Sequence, residues 1–193
     1  MANSIMSAKT ESGYLELILG SMYSGKTSRL VEIYKQCQFC NIKVVVINHL
    51  IDNRYDDHLL STHDHIKIPC IKTEKLLDLI DNEDVYFSEV ILINEGQFFP
   101  DLLLFVEDMI SFVNHKKVYV CGLDGDFKRK KFGEILDLIP LCDKVTKLTS
   151  LCSLCKNGTP GIFSKRITCE KEQTVVGTDN YIPVCRICYD KTC

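Results

Sequence analysis

Eight residues near the start of the chain, Gly20-Ser21-Met22-Tyr23-Ser24-Gly25-Lys26-Thr27, satisfy the spacing G-x-x-x-x-G-K-[ST] at every fixed position. Glycines at these points let backbone N–H groups turn inward around phosphates, and a following helix N-terminus adds partial positive charge. The Lys26 ammonium then reaches the β- and γ-phosphates, and the Thr27 hydroxyl is placed to ligate Mg²⁺. A second candidate is the run Asn94-Glu95-Gly96-Gln97, directly after the apolar stretch 90–93. Ligands of parallel sheets sit outside the carboxyl ends of the strands. An acid ending a strand beside the phosphate loop therefore faces the nucleotide, and Glu95 is that acid. Gly96 and the pair Phe98-Phe99 add backbone freedom and an apolar wall.

The third chemical feature is a pair of C-x-x-C knuckles, Cys152/Cys155 and Cys185/Cys188. Four thiolates can hold one Zn²⁺ tetrahedrally with Zn–S bonds of ~2.3 Å, and a set with no open position is structural. The intervening residues 156–184 become a loop tied at both ends by the metal. Cys37-x-x-Cys40 has the same spacing but falls at the end of a helix, where i and i+3 are neighbours and cysteine acts as a small hydrophobe. Cys70, Cys121, Cys142 and Cys169 are expected to be unpaired, and Cys193 is a tail residue.

These groups need a frame. Residues 14–19, 43–48, 90–93 and 117–121 are short apolar runs that read as buried strands, with 144–149 as a further one. Leu30, Ile33, Tyr34 and Cys37 recur at helical spacing across 26–39. Residues 74–79 and 101–113 are further helix candidates, the latter announced by Pro100. Apolar strands alternating with helices predict an α/β fold of the P-loop NTPase type, a parallel sheet covered on both faces. Composition shifts near Leu151. The expected organisation is a disordered leader over 1–12, a nucleotide-binding domain over 13–150, and a small zinc-binding subdomain of hairpins, without helical period, over 151–193.

The bulk numbers fit this frame. The chain has 193 residues, 46% of them apolar and 25% charged, with net charge −3 and pI near 6.0. A nucleic-acid partner would call for a basic excess. The only dense basic run, Lys128 to Lys131, reads as a solvated loop. No stretch approaches the ~20 apolar residues that span a bilayer. The first residues lack the apolar centre of a signal peptide. Eleven cysteines in a chain expected to stay in the cytoplasm point to metal rather than disulfides.

In order along the chain, several stretches together resemble the cellular-type (type II) thymidine kinases: G-S-M-Y-S-G-K-T at 20–27, I-D-N-R-Y at 51–55 with T-H-D at 62–64, N-E-G-Q-F-F-P-D at 94–101, G-L-D-G-D-F at 122–127, K-F-G at 131–133, and, between the cysteine pairs, F-S-K-R, E-K-E and V-V-G, ending in C-R-I-C-Y at 185–189. The resemblance covers about residues 13–191. It implies transfer of the γ-phosphoryl group of ATP to the 5′-hydroxyl of thymidine, giving dTMP for DNA-precursor salvage, with deoxyuridine as a possible alternative acceptor. It implies that Glu95 is the general base, with Lys26 and Arg54 at the transferred group. Asp52, Asn53, Arg54 and the run Asn94 to Gln97 would join the loop in binding ATP. Met22, Phe98, Leu123, Phe127 and Phe132 would wall the thymine pocket with Ser164. A lasso loop, through Gln173, Thr174, Val175, Val176, Gly177 and Tyr181, would hold the base. It further implies Mg²⁺ with ATP, structural Zn²⁺, a homotetramer and inhibition by dTTP, with neither nucleic acid nor membrane as partner. Four positions depart from the family pattern: Asn94 stands for Asp, Ser21 for Pro, Ser164 for Thr and Gln173 for an apolar residue.

Two other readings share some of these motifs. A P-loop ATPase with a zinc-ribbon nucleic-acid module would call for a basic face and a larger motor core. A non-catalytic zinc scaffold would have no use for intact Gly25-Lys26-Thr27 and Glu95.

Overall fold

Alternate residues of each apolar run have partners on opposite sides, which is what a sheet buried on both faces demands. The computed structural model describes residues 12–52, 59–61, 66–175, 177 and 180–191. Its centre is six strands: β1 (Tyr14–Gly20), β2 (Val44–His49), β5 (Ile71–Thr73), β6 (Val90–Asn94), β7 (Lys117–Gly122) and β8 (Lys144–Leu148). They run in the order β5-β2-β6-β7-β1-β8, with every pairing parallel. On one face Leu15, Leu17, Ile91, Ile93, Val118 and Val120 pack with Leu102, Phe105 and Met109. On the other, Ile18, Val46, Leu92 and Tyr119 pack against Leu30, Val31, Ile33 and Cys37 of helix α1 (Lys26–Phe39). Glu16, within β1, is a buried polar residue, 4% exposed. Its carboxylate accepts from Thr146 Oγ1 at 2.8 Å and pairs with Lys144 Nζ at 3.0 Å on the neighbouring edge strand.

The helix expected over 74–79 is only a 3₁₀ turn, Leu77–Leu79. The amides of Leu76 and Leu77 instead donate to the Asp101 carboxylate at 3.1 and 2.9 Å. A helix not anticipated, α2 (Glu83–Phe87), starts nearby because Asn82 caps it, accepting from the amides of Asp84 and Val85. The helix expected over 101–113 is α3 (Leu102–Met109). It stops early because Asn114 Nδ2 donates to the Asp108 carbonyl at 2.9 Å and Ser111 Oγ accepts from the Val113 amide, diverting the backbone from a further turn. A short hairpin, β3 (Leu59–Ser61) with β4 (Lys67–Pro69), was too brief to carry a sequence signal.

Beyond the sheet the chain makes β9 (Ser150–Leu151) with β10 (Pro160–Gly161), and β11 (Phe163–Arg166) with β12 (Tyr181–Val184), both antiparallel. The expectation of hairpins without a helix needs correcting. A one-turn helix α4 (Arg186–Asp190) follows Cys185. Lys165 Nζ holds its last carbonyls, donating to Cys188 O at 3.2 Å, Tyr189 O at 3.3 Å and Lys191 O at 2.7 Å. The expected leader falls almost wholly outside the described residues. Among those described, no helix is long and apolar enough to cross a membrane.

Candidate active site

The phosphate-loop motif lies where β1, the strand beside the edge strand β8, hands over to α1. Gly25 is the residue before the helix, with φ 85°, a left-handed conformation that glycine adopts without steric cost. A Cβ on Gly20 would come within 2.4 Å of the Leu148 carbonyl, so that position must also be bare. Lys26 Nζ donates to the Ser21 carbonyl at 2.8 Å. Two side chains fasten the loop to the C-terminal strands: Ser21 Oγ donates to Gly161 O at 2.7 Å, and the Met22 amide donates to Ser164 Oγ at 2.9 Å. The hydroxyl at position 21, which proline would lack, thus has a structural use.

Strand β6 is not the immediate neighbour of β1, as the sequence had suggested; β7 lies between them. The gap is bridged because β7 ends in small residues, Cys121 and Gly122. Asn94, 1% exposed, extends across them. Its Oδ1 accepts from Cys121 Sγ at 3.0 Å and lies 3.5 Å from Thr27 Oγ1. Its Nδ2 donates to Asn48 Oδ1 at 2.9 Å, and Asn48 Nδ2 donates to Asp52 Oδ2 at 3.1 Å. Burial pushes the Cys121 thiol up to about 12, so it acts as a neutral donor.

Glu95 has φ 55° and ψ 41°. A non-glycine residue in this left-handed region is held there against its preference, at a cost of order 1–3 kcal/mol. Its carboxylate accepts from Gln97 Nε2 at 2.7 Å, and Gln97 Oε1 accepts from the Leu123 amide at 2.9 Å. Gln97 is 3% exposed, so both ends of a fixed amide tie the acid to the tip of β7. His49 packs edge-on against Phe99 at 4.8 Å and beside Phe98 at 5.6 Å. Desolvation lowers its pKa against the opposing pull of Glu74, Glu95 and Asp101, and its Nδ1 accepts from the Ile51 amide at 3.0 Å.

One pocket gathers most of these groups. Met22, Tyr23, Ser24, Gly25, Lys26 and Thr27 line it with Asp52, Glu95 and Gln97. Phe98, Leu123, Phe127 and Phe132 form an apolar side, where Phe98 and Phe132 meet edge to face at 5.4 Å. Ser164, Gln173, Thr174, Val175, Gly177 and Tyr181 close it. Gly20, Ser21, Asn94 and Gly96 are not among its lining residues. Asn53, Arg54 and Val176, named from the sequence, lie outside the described residues.

The four knuckle cysteines converge, their sulfurs all within 4.8 Å of one another. Cys155 Sγ lies 3.7 Å from Cys185 Sγ and 3.4 Å from Cys188 Sγ. A ZnS₄ tetrahedron with ~2.3 Å bonds has edges of roughly 3.8 Å. Donor set and spacing therefore fit a closed structural zinc site. The remaining described cysteines are free thiols, and Cys37 is fully buried in the α1 core, as the helical reading expected.

Comparison with known proteins decides the family. The family model described as thymidine kinase matches residues 13–189. A thymidine kinase of sheeppox virus is 42% identical over 178 residues, covering 92% of this chain and 97% of that protein. One of Yaba monkey tumor virus is 40% identical, covering 94% and 97%. The cytosolic thymidine kinase of Bos taurus is 42% identical over 180 residues, covering 93% of this chain and 73% of the bovine one. The chain belongs to the cellular-type thymidine kinase family.

Within this thymidine kinase frame, some residues that shape the site carried no sequence signal of their own. Asn48 links Asn94 to Asp52. Asp126 Oδ1 accepts from the amides of Lys128 and Lys130, folding the turn that presents Phe127. That turn was expected to be merely solvated. Its side chains are exposed, yet Arg129 lies over the Tyr189 ring at 4.2 Å and pairs with Asp190 at 3.2 Å. Tyr189, next to Cys188, donates its hydroxyl to Phe127 O at 2.6 Å. Aromatic and acidic partners at matching positions are visible only once the fold brings them together.

Proposed function

We propose that this chain transfers the γ-phosphoryl group of ATP to the 5′-hydroxyl of thymidine, yielding dTMP. The observation that carries the reading is the shared pocket: the phosphate loop and Lys26, the Glu95 carboxylate, and an aromatic wall capped by backbone-rich loop all line one space. Phosphoryl transfer asks chiefly for positioning and charge neutralisation. Backbone amides of 20–27, Lys26 and Arg54 would neutralise charge on the moving group, while Asp52, Asn53 and 94–97 complete the ATP site. Glu95 would accept the proton of the attacking hydroxyl, its direction fixed by Gln97. Met22, Phe98, Leu123, Phe127 and Phe132 would enclose the base. Ser164, Tyr181 and the segment Gln173, Thr174, Val175, Val176 and Gly177 would close over it and keep out water, which otherwise hydrolyses ATP.

Oxygen donors suit a hard cation such as Mg²⁺. Thr27 Oγ1 and Asn94 Oδ1, 3.5 Å apart, would hold it or its water shell. Bound there, the ion would neutralise charge on the β- and γ-phosphates. Asn94 is neutral, and the Asp52 carboxylate is linked to it through Asn48. Zinc at the four cysteines would be structural and would fix the ends of the closing segment. Homotetramer assembly, inhibition by dTTP and a cytoplasmic location are part of the same reading, supported by the family and by the name of the bovine relative.

An assay with ATP and a panel of nucleosides and DNA tests it. Phosphate transfer to thymidine, with deoxyuridine the next candidate, is the expected result. ATP turnover stimulated by DNA and indifferent to nucleosides would overturn it in favour of a zinc-ribbon ATPase.

A further inference from the structure

Arg166 ends β11 and is 8% exposed. An arginine so deeply covered normally faces a carboxylate. Here, among the described residues, its guanidinium donates to uncharged oxygens of the loop that follows and of Tyr181. One terminal nitrogen donates to Glu170 O at 2.9 Å and Glu172 O at 2.5 Å; the other donates to Gln173 O at 3.1 Å and to the Tyr181 hydroxyl. The Tyr181 hydroxyl in turn donates to Val175 O at 3.3 Å. The guanidinium carbon lies over the Phe127 ring, 3.7 Å from its centroid. Arg166 does not line the pocket, whereas Phe127, Gln173, Val175 and Tyr181 do.

The loop needs such a centre. Irregular backbone has no ladder to take up its carbonyls, and covered ones need donors. A planar fork can serve several carbonyls at once and stack on an aromatic face; a lysine ammonium does the first poorly and the second from a point charge. The cation thus joins two walls of the pocket that come from different parts of the chain: the ring on the turn after β7, and the loop after β11. A second latch, Gln173 Nε2 to Asp126 Oδ2 at 2.9 Å, lies on the same seam.

We propose that Arg166 is the positioning residue of the nucleoside pocket, setting the path of residues 170–175 against Phe127 and so fixing the base without touching it. The inference rests on the reading of this pocket as a nucleoside site. Its signature is a split between substrates. The phosphate loop is anchored separately, through Ser21 and Met22, so the ATP site should not register the change.

The experiment compares Arg166→Lys with the parent protein for KM toward thymidine, KM toward ATP, kcat and bound zinc. It adds hydrogen exchange of amides 170–177 in substrate-free protein. The expected result is a thymidine KM raised about tenfold or more, ATP KM and kcat within about twofold, zinc retained, and faster exchange in 170–177. If Arg166→Lys does not retain zinc, Tyr181→Phe replaces it; it removes the hydroxyl that accepts from Arg166 and donates to Val175, and a smaller rise of roughly threefold in thymidine KM, with faster exchange in 170–175, is expected. An unchanged thymidine KM, or equal rises for both substrates, overturns the inference. A parent protein that turns over no nucleoside overturns the functional reading instead, and is recognised before any variant is made.

Discussion

The sheet end that carries the glycine-rich loop 20–27 and the C-terminal segment that lines the same pocket are held by different physics. Around the loop, whole strands and two helices bury apolar side chains on both faces, and Phe105, Leu15, Ile91 and Leu30 are fully covered. The closing segment has a small apolar centre in which Val184 sits among three cysteines. Its order comes from a cluster of four cysteines, a buried guanidinium and hydrogen bonds to neighbouring turns. Burial is non-directional and tolerant; metal ligation and ionic hydrogen bonds are directional and lost all at once. On the proposed reading, the chemistry is mounted on the robust part, and substrate enclosure on the part that loss of a single metal ion would undo.

The largest effect should come from the robust side. Glu95→Gln keeps the fold and nucleotide binding but should lower kcat about 10³-fold, within the range for a general base, as steady-state kinetics with a nucleotide titration would reveal. Near-parental turnover would remove Glu95 from the mechanism. Lys26→Ala should reduce ATP-dependent turnover about 10²–10³-fold, with weaker ATP binding. Unchanged ATP kinetics would end the phosphate-loop assignment.

Stripping the metal probes the other side. Structural zinc can contribute on the order of 10 kcal/mol to the unit it ligates. Chelation should accelerate hydrogen exchange across 150–190 while Tyr14–Gly20, Val90–Asn94 and Lys117–Gly122 remain protected. Uniform deprotection, or a protein that binds no zinc when purified, would dissolve the contrast. Phe105→Ala is the mirror test. It should cost about 3–5 kcal/mol in denaturant unfolding, with zinc content unchanged. The smallest effect concerns His49, whose pKa burial lowers. A group that resists protonation when folded lends stability above its unfolded value of about 6.5, and this is lost as pH falls below that value toward the folded one. The urea midpoint should therefore drop between pH 7.5 and 5.5, and drop less in His49→Gln.

The sequence made the buried strands legible because each is continuous and apolar, and α1 legible because its apolar residues recur at helical spacing. The phosphate loop and the cysteine pairs were legible because their chemistry fixes both residue type and interval. What could not be read depends on partners distant along the chain. Nothing in 74–79 says that Asp101 will take its amides. Nothing in Arg166 says that carbonyls and a ring, rather than a carboxylate, will surround it. The intervening position of β7 was likewise hidden, since strand order is a property of the sheet and not of any strand.

The hydroxyl of Ser21, hydrogen-bonded to Gly161, has a bearing on chimeras. A zinc-held segment transplanted from a relative with proline at position 21 would arrive at a joint shaped for a donor it never met. The recipient's phosphate loop would meet a Gly161 carbonyl in an unmatched setting. Position 21 and residues 160–164 should therefore be exchanged together, as one inherited unit.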